Sequence, residues 1–157
     1  MKPLVRLFLQ RAENERDLAK ALFDISQDNK IKKELSLTPD HTFYSAVIAH
    51  AYYAIFYCAK AILLEEDIKT EAPEVHKKTV EAFEKHLVKT GKLDIKLFKI
   101  YKKMILRADT LLGLFQLEKR KRGEFTYHKL PQANIEPAKE SVENAFTFYK
   151  NINAVLR

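Results

Sequence analysis

The chain has 157 residues, of which 46% are hydrophobic and 31% are charged, and this size and composition fit one globular domain over residues 1–157. The lone Cys58 excludes an internal disulfide and a cysteine-based zinc cluster, and we expect no apolar run to reach the ~20 residues that a membrane span needs. The formal net charge of +7 favours a polyanionic partner, although a lysine-rich solvated surface has the same composition.

Turn-forming residues are scarce, which favours long helices over strands. Only three glycines and five prolines are present, while residues that enter helices at low cost, such as alanine, leucine, lysine and glutamate, abound. The sequence therefore predicts an all-α fold, an antiparallel up-and-down bundle of about five helices. We expect these helices at about residues 4–27, 40–67, 73–89, 93–117 and 135–156.

The first predicted helix has a stripe of residues that recur at helical spacing between charged side chains. The stripe consists of Leu4, Leu7, Phe8, Arg11, Leu18, Leu22 and Ile25. An amphipathic helix buries such a stripe, so we expect it to face the core. Residues 1–10 also lack a signal-peptide pattern, and we expect a cytoplasmic protein with no membrane partner.

The second predicted helix is the most apolar part of the chain. Thr38 is expected to cap it, with Pro39 at its first helical position. Small alanines alternate with tyrosines and phenylalanines through residues 44–64, so nearly every side of the helix is apolar. Such a helix is buried on nearly every side, and we expect it at the centre of the bundle, with Cys58 and His50 buried or at an interface.

Glycines mark the ends and interruptions of the later helices. Gly91 should end the third helix in a left-handed conformation, whereas Gly113 lies inside the fourth predicted helix and would kink it or permit a close contact. A polar, basic stretch follows at residues 117–132 before the last helix begins.

Three segments of the sequence resemble the HEPN superfamily of helical domains. Residues 46–64, AVIAHAYYAIFYCAKAILL, are similar to its small-residue-rich YYAxFxxAKAxL helix. His76 followed by residues 83–93, FEKHLVKTGKL, is similar to its H…F…FVKTGxL segment. Residues 120–125, RKRGEF, look like its R-x-x-(A/G)-(D/E)-(Y/F) motif, so the resemblance spans about residues 43–150 in the right order.

The resemblance implies a bundle of four to five helices that usually forms a homodimer, with the motif regions of both copies sharing a cleft. Active members are metal-independent endoribonucleases with an R-x(4–6)-H motif and need no cofactor. Many act as toxins or defence effectors, and some are paired with a separate minimal nucleotidyltransferase. Other members are proposed only to bind nucleotides or RNA.

The candidate catalytic residues lie between Lys119 and His128. Arg122 and His128 fit the R-x5-H spacing, whereas the local motif aligns Arg120 with the family arginine, and the sequence leaves both registers open. A histidine with a pKa near ~6.5 exchanges protons at neutral pH, and a guanidinium binds phosphate with a bidentate fork. Glu124 would orient the arginine or polarise the histidine. The alternatives to these catalytic roles are that His128 is only a loop histidine and that Glu124 only forms a salt bridge with Arg120 or Lys121.

The same stretch is the densest positive patch of the chain. Its predicted nucleic-acid or nucleotide-binding residues are Lys119, Arg120, Lys121, Arg122, Tyr127 and Lys129. Interleaved cations and aromatic rings suit single-stranded RNA, although cations at the end of a helix also favour its dipole. We expect no metal site, because no histidine pair has ligand spacing.

Two functions remain open at the level of sequence. One is a ribonuclease that acts in a dimer cleft. The other is a non-catalytic nucleotide-binding or scaffold module that partners a separate nucleotidyltransferase.

Overall fold

The computed structural model describes residues 1–115 and 135–157. Within these ranges the chain forms six α-helices and no strand, which confirms the all-α prediction. The helices are α1 Pro3–Gln27, α2 Asn29–Glu34, α3 Tyr44–Glu65, α4 Val75–Phe83, α5 Ile95–Leu112 and α6 Ile135–Leu156. A π-helical turn, Glu84–Val88, continues α4.

Helix α3 is the centre of the bundle, as its composition predicts. Helices α1, α4, α5 and α6 all pack against it. Four of its alanines, Ala51, Ala54, Ala59 and Ala61, are fully buried and let these neighbours approach closely. Contrary to the expectation that no apolar run reaches the length of a membrane span, this helix is long and apolar enough to cross a membrane by length and composition. However, 72% of its most apolar window lies inside the bundle, as in the core helix of a soluble protein. Cys58 is buried there too, as expected.

Contacts between helix ends show that α1 and α3 run antiparallel. Lys2, just before α1, donates from Nζ to the carbonyl oxygens of Leu64 at 3.1 Å and Glu65 at 3.0 Å. Near the other ends of the helices, the rings of Phe23 and Tyr44 meet edge to face. Lys2 therefore caps the carboxyl end of α3, where carbonyl groups lack helical partners.

The prediction of which side of α1 is buried is wrong, because the buried residues each follow a member of the predicted stripe by one position. The residues that are buried are Val5, Leu9, Ala12, Ala19 and Ser26. Leu4, Leu7 and Leu18 are instead exposed, and Phe8 and Leu22 pack only at the edge of the core. Three of the five buried residues are alanine or serine, whose small side chains let α1 lie close to α3, while Leu4, Leu7 and Leu18 remain exposed.

The region before α3 also differs from the prediction. A short helix that was not predicted, α2, follows α1. Asp28 caps it, and the Asp28 carboxylate accepts a hydrogen bond from the N–H of Lys30 at 2.9 Å. Thr38 does not cap α3. Its N–H donates to Nδ1 of His41 at 2.9 Å within a turn, and α3 begins at Tyr44. Thr38 is used in this local turn instead, and α3 begins after Phe43 without a side-chain cap.

Both predicted glycine positions adopt the left-handed conformation, but one has a different role. Gly91, at φ 78°, reverses the chain after the π-helical turn, as predicted. Gly113, at φ 64°, ends α5 rather than kinking it, and its N–H donates to the carbonyl oxygen of Asp109 at 2.8 Å. A left-handed residue cannot continue a right-handed helix, so α5 stops at Leu112 instead of residue 117.

Two buried tyrosines offer a matched test of hydrogen bonding in this core. Tyr101 packs between Phe83 and Phe148, and its hydroxyl has no hydrogen-bond partner among the described residues. The hydroxyl of Tyr52 lies 2.7 Å from Nδ1 of His76. Tyr101→Phe should leave the free energy of unfolding unchanged or raise it by up to about 1 kcal/mol, whereas Tyr52→Phe should lower it by about 1–2 kcal/mol. Urea unfolding of both variants checks the difference, and equal destabilisation would contradict it.

Candidate functional site

The sequence-predicted site residues, Lys119 to Lys129, lie outside the described residues, as does the whole stretch 116–134. The structure does describe both flanks of this stretch. It follows Phe115, just after α5, and it precedes Ile135, the first residue of α6. The flanks are therefore where the structure informs the candidate site.

The first flank is held at three points. Gly113 turns the chain away from α5, and the buried carboxylate of Asp109 accepts the N–H of Phe115 at 2.5 Å. The Phe115 ring then lies edge-on to the rings of Tyr52 and His76, with centroid distances of 6.1 and 5.9 Å. The backbone and the ring of Phe115 thus both bind to the bundle.

The second flank is held by an arginine of α5. The guanidinium of Arg107 is mostly buried, and it donates to the carbonyl oxygen of Pro137 at 3.4 Å and to Oγ of Ser141 at 3.1 Å. It also donates to Glu140 at 3.2 Å, and Lys103 forms a second ion pair with the same carboxylate. The hydrogen bond from Lys103 and the charge of Arg107 lower the pKa of Glu140. These contacts connect α5 to α6, so both flanks lie next to helices that touch each other.

His76 lies in a cluster of rings beside the first flank. We define the aromatic cluster as Tyr52, Tyr53, Phe56, His76 and Phe115. The His76 ring stacks on Phe56 with centroids 4.2 Å apart, and Tyr53 meets it at a steep angle. His76 is the histidine of the second HEPN-like segment, and these packing distances indicate a structural role for it.

Burial makes His76 a poor place for a positive charge. Its pKa is lowered from the ordinary value of 6.5, first by burial and then by the nearby charge of Lys60. A neutral imidazole can accept a hydrogen bond from the Tyr52 hydroxyl at Nδ1, whereas an imidazolium cannot accept a hydrogen bond. Burial also raises the pKa of Tyr52, so its hydroxyl stays protonated.

Lys60 is a half-buried cation on α3 that the sequence did not single out. Its Nζ donates to the carbonyl and the hydroxyl oxygens of Thr70, and Thr70 Oγ1 lies 2.7 Å from Oγ1 of Thr79. Burial lowers the pKa of Lys60. The lysine holds the connection between α3 and α4, and a lysine within an otherwise apolar helix was the available signal for it.

His50 is at the edge of the core rather than within it. Its Nδ1 lies 2.5 Å from Oε2 of Glu15, and about a third of its side chain is exposed. The pair links α3 to α1. Among the described residues, no group of three histidine, cysteine or carboxylate side chains could hold a metal ion.

Comparison with known proteins gives two relatives. No family model matches the sequence, and no solved structure matches it. The chain is similar to "Putative toxin MJ0142" of Methanocaldococcus jannaschii, with 28% identity over 129 residues that cover 80% of this chain and 82% of the relative. It is also similar to "UPF0332 protein glr0978" of Gloeobacter violaceus, with 33% identity over 58 residues, or 37% of this chain and 44% of that protein. The first match spans most of both chains.

The lowered pKa of His76 predicts how stability depends on pH. Because the unfolded chain protonates this histidine near pH 6.5 and the folded chain does so only at lower pH, the unfolded state binds more protons in between. Folding stability should therefore be full above about pH 6.5 and fall as the pH drops below it. His76→Gln should flatten this dependence in melting temperatures measured across the range, and an unchanged slope would contradict it. His86→Gln, in the π-helical turn, is the control.

Proposed function

We propose that this protein is a HEPN-type, toxin-like protein that binds RNA or a nucleotide and cleaves RNA without a metal ion. The observation that carries the proposal is its similarity, over most of both chains, to a protein named as a toxin. The three HEPN-like segments, the all-α bundle around α3 and the basic stretch between α5 and α6 support it. The proposed location is the cytoplasm.

The proposed chemistry assigns one role to each residue type of the motif. His128 would take the proton of the ribose 2′-hydroxyl or give one to the leaving 5′-oxygen. Arg122, or Arg120 in the other register, would bind the phosphate as it gains charge. Attack of the 2′-oxygen on phosphorus with departure of the 5′-oxygen leaves a 2′,3′-cyclic phosphate, and no metal ion enters this balance.

A homodimer belongs to the same proposal. Two copies would bring two arginine–histidine sets to one substrate, so that one histidine acts as base while the other acts as acid. The hydrogen bonds from Arg107 to Pro137 and Ser141 support this arrangement, since they connect the helices on either side of the basic stretch.

The second candidate is a non-catalytic module that binds a nucleotide or RNA, or docks on a separate minimal nucleotidyltransferase. The register of the motif favours it. Arg122 fits the spacing to His128, whereas Arg120 fits the local family motif, so no single arginine satisfies both patterns. The basic residues Lys119 to Arg122 would then serve binding alone.

Cleavage is tested with purified protein and a single-stranded RNA in EDTA. The wild type should produce fragments that end in 2′,3′-cyclic phosphate. His128→Ala should lower the cleavage rate by about 100-fold or more, because general acid–base catalysis contributes a factor of this size. Replacing Arg120 and Arg122 one at a time identifies the motif arginine.

His86→Ala is the matched control, since it removes a histidine outside the stretch, and its rate should equal that of the wild type. Cleavage that survives His128→Ala, or that needs a divalent ion, would contradict the catalytic proposal and leave the binding module as the better account.

Binding is tested separately by fluorescence anisotropy with a labelled single-stranded RNA at several salt concentrations. Lys119→Ala with Lys121→Ala should weaken binding and reduce the dependence of log Kd on log salt by about 1.4, because two phosphate contacts are lost. The control is Lys30→Ala with Lys33→Ala on α2, which removes the same charge from an exposed helix. Equal effects of the two double variants would indicate nonspecific attraction.

A further inference from the structure

Helix α1 carries a second stripe beside its buried one. We define the outer stripe as the residues Leu4, Phe8, Arg11, Glu15, Leu18, Leu22 and Ile25. Successive members are alternately four and three positions apart, which is the spacing of the core positions in a coiled coil. The stripe lies beside Val5, Leu9, Ala12, Ala19 and Ser26, the buried residues that join α1 to its own bundle.

Several apolar members of the outer stripe reach solvent. Leu4 is 47% exposed and Leu18 is 41% exposed, and Leu7, which flanks the stripe, is 42% exposed. Phe8 and Leu22 are only partly buried. Exposed leucines that share one face of a helix mark an interaction surface rather than scattered surface apolar residues.

The two charged members of the stripe are held in place by α3. Glu15 bonds His50 through Oε2, and the guanidinium of Arg11 lies over the Tyr57 ring at 5.7 Å from its centroid. Phe8 stacks on the same ring at 6.2 Å. Held side chains lose less freedom on association, so this face is prepared for binding.

The outer stripe is complementary to itself when two copies of α1 run antiparallel. Suppose that Arg11 lies opposite Glu15 of the second copy. Because the helices are antiparallel, the residue three positions before Arg11 lies opposite the residue three positions after Glu15. Phe8 then faces Leu18. One further step of four positions places Leu4 opposite Leu22. Each contact occurs twice about a two-fold axis, as an isologous dimer requires.

Charge excludes the competing arrangements. A parallel pair would place Arg11 against Arg11 and Glu15 against Glu15. An antiparallel pair shifted by seven residues places Arg11 against Leu22 and Glu15 against Leu18 in one direction. In the other direction it places the same charges against Phe8 and Leu4, so either shift sets Arg11 and Glu15 against apolar side chains of the second copy instead of against opposite charges.

We propose that the outer stripe of α1 is the surface through which two copies of this chain associate, antiparallel, with Arg11 of each copy paired to Glu15 of the other. The inference deepens the homodimer part of the proposed function and rests on it. The surface adjoins Tyr57, which in turn contacts Tyr53 of the aromatic cluster, so the dimer contact is continuous with the flank at Phe115.

Sedimentation velocity over a dilution series measures the association directly. The wild type should be a dimer at micromolar concentration. Leu18→Glu should raise the dimer dissociation constant by about 100-fold, because it places a carboxylate against Phe8 of the second copy. Leu106→Glu on α5 is the matched control, since Leu106 is 54% exposed and lies outside the stripe, and it should leave the constant unchanged.

A charge swap tests the register. Arg11→Glu or Glu15→Arg alone places like charges opposite each other twice, and each should weaken the dimer by about tenfold or more. The double variant R11E/E15R restores opposite charges, and its dissociation constant should return to within about tenfold of the wild type. Circular dichroism and urea unfolding of each variant separate loss of association from loss of folding.

The outcomes are distinct. A monomeric wild type overturns this surface and the dimer in the proposed function together. A dimer that Leu18→Glu and the charge variants leave intact overturns the surface alone. RNA cleavage is assayed separately, so a dimer of the expected kind without cleavage supports the surface while contradicting the catalytic proposal.

Discussion

The burial of α3 on nearly all sides is the constraint on which the rest of the structure depends. Four helices pack against it, and its fully buried alanines allow them to approach. A polar side chain on such a helix needs a hydrogen-bond partner, so a polar residue of a neighbouring segment must lie next to it. Tyr52 binds His76 of α4, Lys60 binds Thr70, and His50 binds Glu15 of α1.

Composition and periodicity were enough to predict the fold class, the central helix and the end of the third helix at Gly91. They failed where two different structures are compatible with the same sequence pattern. On α1 the leucine-rich stripe and the stripe of small residues both repeat with helical spacing, and only the fit against α3 selects the one with Ala12 and Ala19. At Gly113 the sequence does not distinguish a kink from a helix end, which is decided by the sign of φ.

The sequence predicted which residues form the candidate site but not which other residues contact and support it. The R-x5-H spacing pointed to Arg122 and His128 and the local family motif to Arg120, and all three lie outside the described residues. The groups that support the stretch were harder to find. Arg107 contacts residues about thirty positions later, and Asp109 binds the backbone of Phe115 after a turn. Such contacts depend on how helices meet, which local periodicity does not encode, whereas His76 was found because it belongs to a recognisable segment.

Cys58 has a practical consequence for spectroscopy. It is the only cysteine in the sequence, it is completely buried in α3, and burial raises the pKa of its thiol. Maleimides and other thiol reagents attack the thiolate, so the folded protein should leave Cys58 unlabelled. A dye or spin label can then be attached to a single cysteine introduced on the surface without replacing the native one. Distances within and between copies thus become measurable in an otherwise unaltered core.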